Sequence, residues 1–203
     1  MGNVQSVSRA FAHCGASVEV TEDLRKIATA DRLVLPGVGA FGQGISELRK
    51  RNIIPAVNEF VKTSRPFFGI CLGLQLMFDS SEEAYRETGD EEGLGFVSGR
   101  VVKIPGQGLD GNKHKVPHIG WSSVQFGRQD EKLLNGIPSG SEFYFVHSFS
   151  VKPREATSIL GEASYNGQEI VAIVQKDNLL GTQFHPEKSA SLGLKMISNF
   201  LAM

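Results

Sequence analysis

Cysteine is scarce in this chain: Cys14 and Cys71 are the only 2. That scarcity excludes a disulfide-built scaffold and fits a reducing, cytoplasmic setting. No apolar run is long enough to cross a bilayer and no signal-peptide pattern is present, so no membrane partner is expected. Neither sign of charge is in excess, with 21 Lys and Arg against 22 Asp and Glu. That balance gives no footprint for nucleic acid or an anionic surface. Internal repeats and low-complexity tracts are absent too. What is present is a chain of 203 residues, a length that suits one domain (1–203) with room for a real core.

Strands and helices alternate in the first half. The pattern predicts a helix from Val4 to His13 closed by Gly15, then a short strand from Ser17 to Val20. A strand from Arg32 to Leu35 is stopped by Pro36, and helices follow from Gly44 to Lys50 and from Ile54 to Thr63. A buried strand from Phe67 to Ile70 leads into a helix from Leu72 to Phe78. In the second half, strands are expected at Phe96–Ile104, Ser122–Phe126, Glu142–Ser150, Ser158–Tyr165, Ile170–Gln175 and Leu179–Gln183. Turn signals such as Asn166-Gly167 and Asp177-Asn178 separate several of them. A helix from Leu192 to Leu201 ends the pattern, and the polar segments Ser80–Gly93 and Gly106–Lys115 read as exposed loops. The implied fold class is α/β: a mostly parallel central sheet flanked by helices, with additional antiparallel strands in the C-terminal half. Met1-Gly2-Asn3 reads as a turn into the first helix with no strand before it. The first strand is therefore read as missing. An apolar segment is expected upstream, seated inside the sheet with a neighbour on each side.

Chemistry concentrates in two places. Phe67-Phe68-Gly69-Ile70-Cys71-Leu72-Gly73 carries an apolar run into a cysteine framed by glycines. This is the G-x-nucleophile-x-G turn of a nucleophile elbow, with a thiol as nucleophile. The turn strains its central residue, and glycines on either side remove Cβ atoms that would collide. A helix N-terminus beside the sulfur favours thiolate. Far downstream, Gln183-Phe184-His185-Pro186-Glu187 places a histidine two residues before a carboxylate. Proline favours extension of the residue before it, and in an extended segment residues i and i+2 share a side. His185 and Glu187 can then act as base and orienter for Cys71.

Other motifs carry less. Pro36-Gly37-Val38-Gly39-Ala40-Phe41-Gly42 contains a literal G-x-G-x-x-G, but it follows a later strand and Pro36 interrupts its entry. The better reading is a glycine-rich strand end whose N–H groups approach a reacting carbonyl. One of them, with the N–H of Leu72, forms an oxyanion hole. His114, His118 and His147 lack the further ligands of a metal site, so no metal is expected. His147 reads as structural or substrate-lining. Trp121 is divided between core and partner interface, Glu83 between a solvated face and a substrate ammonium, and Cys14 is assigned to packing.

Together these motifs resemble the class I glutamine amidotransferase family, of flavodoxin-like architecture. Gly69 to Gln75 looks like its nucleophile elbow and His185-Pro186-Glu187 like its His-x-Glu pair. Pro36-Gly37-Val38-Gly39, Lys115 to Trp121, Tyr144 to Ser148 and Ala172 to Asn178 narrow the likeness to glutaminase subunits of imidazole glycerol phosphate synthases. Members of that group usually have Asn after the Gly-Trp pair, where this chain has Ser122. The resemblance implies glutamine hydrolysis without a cofactor, through a thioester on Cys71, with His185 as acid and base and Glu187 orienting it. It implies Gly39 and Leu72 N–H groups at the oxyanion. Gln75, Glu83 and the backbone of His147, Ser148 and Phe149 hold the glutamine, and Trp121, Tyr144 and Lys188 face a cyclase (β/α)8-barrel subunit in a heterodimer. That barrel would take the ammonia in histidine biosynthesis. Three rivals stand beside this reading: a paralogue supplying ammonia to a surface-sugar precursor, a non-catalytic regulatory subunit on the same scaffold, and a cysteine peptidase or hydrolase of related fold.

Overall fold

A computed structural model describes residues 4–86, 89–109 and 111–203 of the chain. The turn expected at Met1-Gly2-Asn3 lies outside these residues. Helix α1 (Val4–His13) forms where its apolar stripe predicts, burying Val7, Ala10 and Phe11. Gly15, at φ +94°, ends it. The N–H of Ala16 reaches back to the carbonyl of Phe11, the closure that a left-handed glycine permits. A short helix that the apolar pattern misses, α2 (Leu24–Thr29), starts at Asp23, whose carboxylate accepts from the N–H groups of Arg25 and Lys26.

Next come β1 (Leu33–Gly37), α3 (Phe41–Lys50), α4 (Ile54–Val61), β2 (Phe67–Cys71) and α5 (Leu72–Leu76). The remaining strands are β3 (Phe78–Arg86), β4 (Gly89–Glu92), β5 (Val97–Lys103), β6 (His118–Phe126), β7 (Ser141–His147), β8 (Phe149–Pro153), β9 (Ile159–Tyr165), β10 (Gln168–Lys176) and β11 (Leu179–Thr182), before helix α6 (Ala190–Leu201). Among the described residues the central sheet runs β1-β2-β11-β10-β9-β6-β7, and a second sheet runs β4-β3-β5-β8. The α/β class is as expected, but the parallel share is smaller than "mostly": β1, β2 and β11 run parallel, and every later pairing of the central sheet is antiparallel. The hairpin turns at Asn166-Gly167 and Asp177-Asn178 account for the β9–β10 and β10–β11 pairings, since a tight turn can only return a chain antiparallel.

Two apolar cores cover the central sheet. Phe68 and Ile70 of β2 pack with Phe11 of α1 and with Met196, Ile197 and Phe200 of α6. Phe67 packs on the opposite side with Phe41 and Ile45 of α3, Val57 and Phe60 of α4, and Leu72, Leu74, Leu76 and Met77. This alternation along one strand puts a helix layer on each face. Each buried phenylalanine contributes about 2–3 kcal/mol. The helical cover positions the site by making β2 immovable between its neighbours β1 and β11.

Several expected elements are corrected. Ser17–Val20 is not a strand: none of its backbone is laddered, and Val18 and Val20 remain 42% and 67% exposed. β-favouring side chains do not suffice without a partner edge. Pro36 does not stop β1, which runs through to Gly37, because among the described residues β1 pairs with β2 alone and an edge strand tolerates a missing N–H. Ser80–Gly93 is not an exposed loop. Most of it forms the β3–β4 hairpin, with Ser81 and Glu91 buried. Its polarity misled, because Arg49 reaches in to the Glu91 carboxylate at 2.8 Å. The α5 helix stops at Leu76, and the strand expected across Glu142–Ser150 breaks at Ser148, where the chain leaves the central sheet for the second one.

Candidate active site

Cys71 is the last residue of β2 and the residue before α5, held at φ +54° and ψ −108°. A non-glycine residue reaches that region only when its surroundings force it. The forcing is visible. A Cβ on Gly73 would stand 1.7 Å from the carbonyl oxygen of Leu35, and one on Gly69 would stand 2.7 Å from the Met77 sulfur. Both framing glycines therefore permit α5 to sit directly against β1 and β2. Cys71 is buried, and its sulfur lies 3.8 Å from Nε2 of Gln183 and 3.9 Å from the Val146 carbonyl oxygen.

Parallel pairing brings the second motif alongside. Gly181 and Thr182 of β11 stand opposite Gly69 and Ile70, so the next residues leave the sheet beside Cys71. His185 is extended, at φ −100° and ψ 97°, but Pro186–Lys188 is one turn of 3-10 helix and not the extended segment expected. The turn does the same work. Nδ1 of His185 and Oε1 of Glu187 are 2.8 Å apart, and both side chains are fully buried. Two backbone contacts clamp the histidine. Its N–H donates to the Tyr144 carbonyl at 2.9 Å, and its carbonyl accepts from the Ser189 hydroxyl at 2.7 Å. With Nδ1 committed to Glu187, Nε2 is left for Cys71, whose sulfur favours the charged form of the ring. Burial is the largest influence on His185 and opposes its charge. The hydrogen bonds and charges of Cys71 and Glu187 together outweigh it and push the imidazole up from 6.5 to about 9. At neutral pH the ring is therefore an imidazolium between a sulfur and a carboxylate, the arrangement that activates thiols for attack on a carbonyl.

The other site candidates divide into those at the Cys71 end of the sheet and those absorbed by the fold. Gly37 stands opposite Cys71 in register, so Gly39, at φ +106°, lies just past the same end of the sheet. Leu72 opens α5. Gln75 is buried, and its amide donates to the Phe149 carbonyl at 3.0 Å and to Oε1 of Gln183 at 3.1 Å. Glu83 accepts from the N–H of Phe41 at 2.7 Å, capping α3 where Ala40 cannot. Its carboxylate thus sits at the helix that follows the Gly37-Val38-Gly39 segment. The Ser148 carbonyl accepts from Ile104 and the Phe149 carbonyl from Gln75, so these oxygens hold the fold. The His147 ring is taken up by His118 and by the Phe149 carbonyl.

Trp121, Tyr144 and Lys188 come together on the surface. Trp121 stands opposite Tyr144 across β6 and β7, its ring edge-on at 6.0 Å, and the Lys188 ammonium lies 5.9 Å from the Tyr144 ring centre. Trp121 is 50% exposed and Ile119, on the same face of β6, is 58% exposed. Trp121 is thus not a core residue. His114 contacts Asn166 and lies tilted against the Tyr165 ring. Among the described residues no group of three or more metal-ligating side chains converges.

Sequence reasoning missed Gln183, His118 and Ser189. All three are buried polar residues next to motif residues. The available signal was an amide inside the apolar run Leu179 to Phe184, since a buried amide must be hydrogen-bonded to something.

Known proteins resemble this chain along its whole length. The sequence model of the family described as glutamine amidotransferase class-I matches residues 1–203. An imidazole glycerol phosphate synthase subunit HisH 1 of Legionella pneumophila (strain Lens) is 44% identical over 205 residues, spanning 99% of this chain and 94% of that protein. An imidazole glycerol phosphate synthase subunit HisH of Syntrophotalea carbinolica is 43% identical, spanning 98% of this chain and 95% of that protein. A crystal structure of a glutamine amidotransferase superposes with a TM-score of 0.71 over 100% of this chain and 95% of that one, at 16% identity, a likeness of fold alone. A strained cysteine between glycines, a buried His–Glu pair at its side and a family match along the whole sequence lead to one conclusion: this chain belongs to the class I glutamine amidotransferases.

Proposed function

We propose that this chain is one glutaminase domain, the ammonia-producing subunit of an imidazole glycerol phosphate synthase in histidine biosynthesis, working in the cytoplasm beside a cyclase (β/α)8 barrel. The observation that carries the reading is the His185–Glu187 pair at 2.8 Å, its imidazole favoured in the charged form by Glu187 and by the Cys71 sulfur on a strained elbow. The names borne by relatives at 44% and 43% identity support the choice of synthase over a sugar-amidating paralogue.

In this mechanism the Cys71 sulfur attacks the side-chain carbonyl carbon of glutamine. The carbonyl π pair moves onto oxygen, where N–H groups of Gly39 and Leu72 receive the negative charge. Collapse breaks the C–N bond. The imidazolium of His185 gives its proton to the departing nitrogen, so that ammonia leaves and a thioester remains. Water then attacks the thioester, His185 takes its proton, and glutamate departs as the sulfur regains its electron pair. Glu187 keeps the ring in one orientation throughout. Gln75, through its amide oxygen, and Glu83, through the carboxylate oxygen that does not cap α3, hold the substrate, Glu83 at the ammonium, with the backbone of His147 to Phe149 along the pocket. Trp121, Tyr144 and Lys188 meet the barrel, which consumes the ammonia before solvent can protonate it.

Glycines at 37 and 39 allow their peptides to turn an N–H or a carbonyl toward the site at little steric cost. A partner that biases those peptides sets the activity. The test is release of glutamate and ammonia by the pure chain, alone and with a barrel subunit and its nucleotide ligand. Low turnover alone and a clear rise in the complex are expected. No turnover of glutamine in either state overturns the glutaminase reading, and full activity of the lone chain, indifferent to the partner, overturns the coupling.

A further inference from the structure

Two buried histidines outside the triad face each other across β6 and β7. His118 and His147 are opposite in register, and Nδ1 of His118 lies 3.0 Å from Nε2 of His147. Each ring has one further partner. Nδ1 of His147 is 2.8 Å from the Phe149 carbonyl oxygen, and Nε2 of His118 is 2.8 Å from the Ser122 hydroxyl.

The position of every proton in this chain follows from one group. A carbonyl only accepts, so Nδ1 of His147 carries the hydrogen. Burial pushes His147 down to about 3 and His118 down to about 4, so both rings are neutral. A neutral ring has one N–H. Nε2 of His147 is therefore an acceptor, and Nδ1 of His118 donates to it. Nε2 of His118 is then an acceptor as well, and the Ser122 hydroxyl donates to it.

On the other side of Phe149 the same logic continues. Its carbonyl also receives Nε2 of Gln75 at 3.0 Å. The second N–H of that amide goes to Oε1 of Gln183 at 3.1 Å. With its oxygen committed, Gln183 can turn only Nε2 toward the Cys71 sulfur, 3.8 Å away. The donors run from Ser122 inward as far as Phe149, and from Gln75 through Gln183 to the sulfur. The sulfur also lies 3.9 Å from the Val146 carbonyl oxygen, to which a neutral thiol can donate, so the Gln183 N–H is the contact of the two that favours the charged form.

We propose that His147, held in one tautomer by His118, is a positioning residue: it holds the Phe149 carbonyl, and so aims the Gln75–Gln183 amide pair with an N–H toward the nucleophilic sulfur. The inference rests on reading Cys71 as that nucleophile. A rival account makes the two histidines core filler, since the His118 ring stacks on Tyr165 at 4.0 Å and on Phe145 at 4.8 Å.

The experiment separates the two accounts by chemistry at the sulfur. The rate of Cys71 alkylation by iodoacetamide is followed against pH by mass spectrometry of its peptide, and kcat and KM for glutamine are measured with the barrel partner. His147→Leu removes the donor to Phe149. His147→Asn keeps it, because an Asn amide nitrogen overlays Nδ1. Gln183→Met removes the donor at the sulfur while keeping its volume. Both His147→Leu and Gln183→Met are expected to move the alkylation midpoint up by about one pH unit and to lower kcat about tenfold with little change in KM. The double variant is expected to be no worse than either single one, since both act through one chain of bonds. His147→Asn restores the midpoint and most of kcat, even where its melting temperature falls as far as that of His147→Leu. Overturning results are a midpoint equal in the Asn and Leu variants, or fully additive losses in the double variant. Alkylation needs no glutamine, so a wild type that alkylates normally but turns over no glutamine refutes the glutaminase reading while the alkylation profiles still decide this one.

Discussion

Strand β2 is buried along its whole length, whereas β1, paired to it residue for residue, is half-exposed along its own. The two end side by side, Cys71 opposite Gly37, and carry different parts of the proposed chemistry. The nucleophile stands on the strand with a neighbour on each side and a core on each face. The glycine segment that would receive the oxyanion leaves a strand paired on one side among the described residues. Local opening is easiest where few apolar contacts must be broken. Under the proposed mechanism this is a division of labour: the attacking group would be fixed, and the group that stabilises charge would sit where a partner can move it.

The largest effects come from breaking the fixed half. Cys71→Ala is expected to lower glutamine turnover on the order of 10⁵-fold, to background, with the melting temperature held within a few degrees. His185→Ala is expected to cost about 10²–10⁴-fold, the scale of general acid–base catalysis, in an assay of the complex. Turnover near wild type in either variant shows that the thiol or the imidazole has been given the wrong role.

Two glycines sharpen the contrast. A Cβ at position 73 meets the Leu35 carbonyl at 1.7 Å, and neither backbone can yield without parting α5 from β1. Gly73→Ala is expected to lose more than about 3 kcal/mol in chemical denaturation. At position 39 the nearest atom to a new Cβ is Oε1 of Gln43 at 4.0 Å, so only the positive φ resists. Gly39→Ala is expected to cost about 1–2 kcal/mol in stability and to reduce activity in the complex. Equal losses of stability at the two positions contradict the proposed difference between rigid and movable strands.

How much of this was legible in the sequence follows from the range of the interactions. The elbow was legible because its strain is local: Gly69, Cys71 and Gly73 announce it within five residues. The His–Glu pair was legible for the same reason, although the backbone between them is a 3-10 turn. The β3–β4 hairpin was not, because its charges are satisfied from a distant helix, by Arg49 on Glu91. Ser17–Val20 looked like a strand because side-chain preference is local, while strand formation needs an edge supplied from elsewhere. Gln183 and His118 stayed hidden because their partners lie 108 and 29 residues away, on Gln75 and His147. Motif reading finds groups that act on neighbours and misses groups that act across the sheet.

The last prediction concerns pH and needs no substitution to be seen. His118 and His147 are neutral in the fold, pushed by burial to about 4 and about 3 from 6.5. Below pH 6.5 the unfolded chain therefore binds more protons than the folded one, and stability falls as pH falls. At pH 5 each ring contributes a loss of about 2 kcal/mol relative to neutral pH, since one unit of separation is worth about 1.4 kcal/mol. His185 has the opposite sign. Its pKa is raised to about 9, so the stability it adds is complete below 6.5 and is lost as pH rises through 9. Stability is thus greatest near neutrality, with an acid limb owed to the His118–His147 pair and an alkaline limb owed to the triad. Denaturation midpoints from pH 5 to pH 10 test this. His118→Asn with His147→Asn flattens only the acid limb, and His185→Asn only the alkaline one. An acid limb unchanged in the double variant returns that loss of stability to the carboxylates, and the neutral state of the buried pair then ceases to matter for the fold.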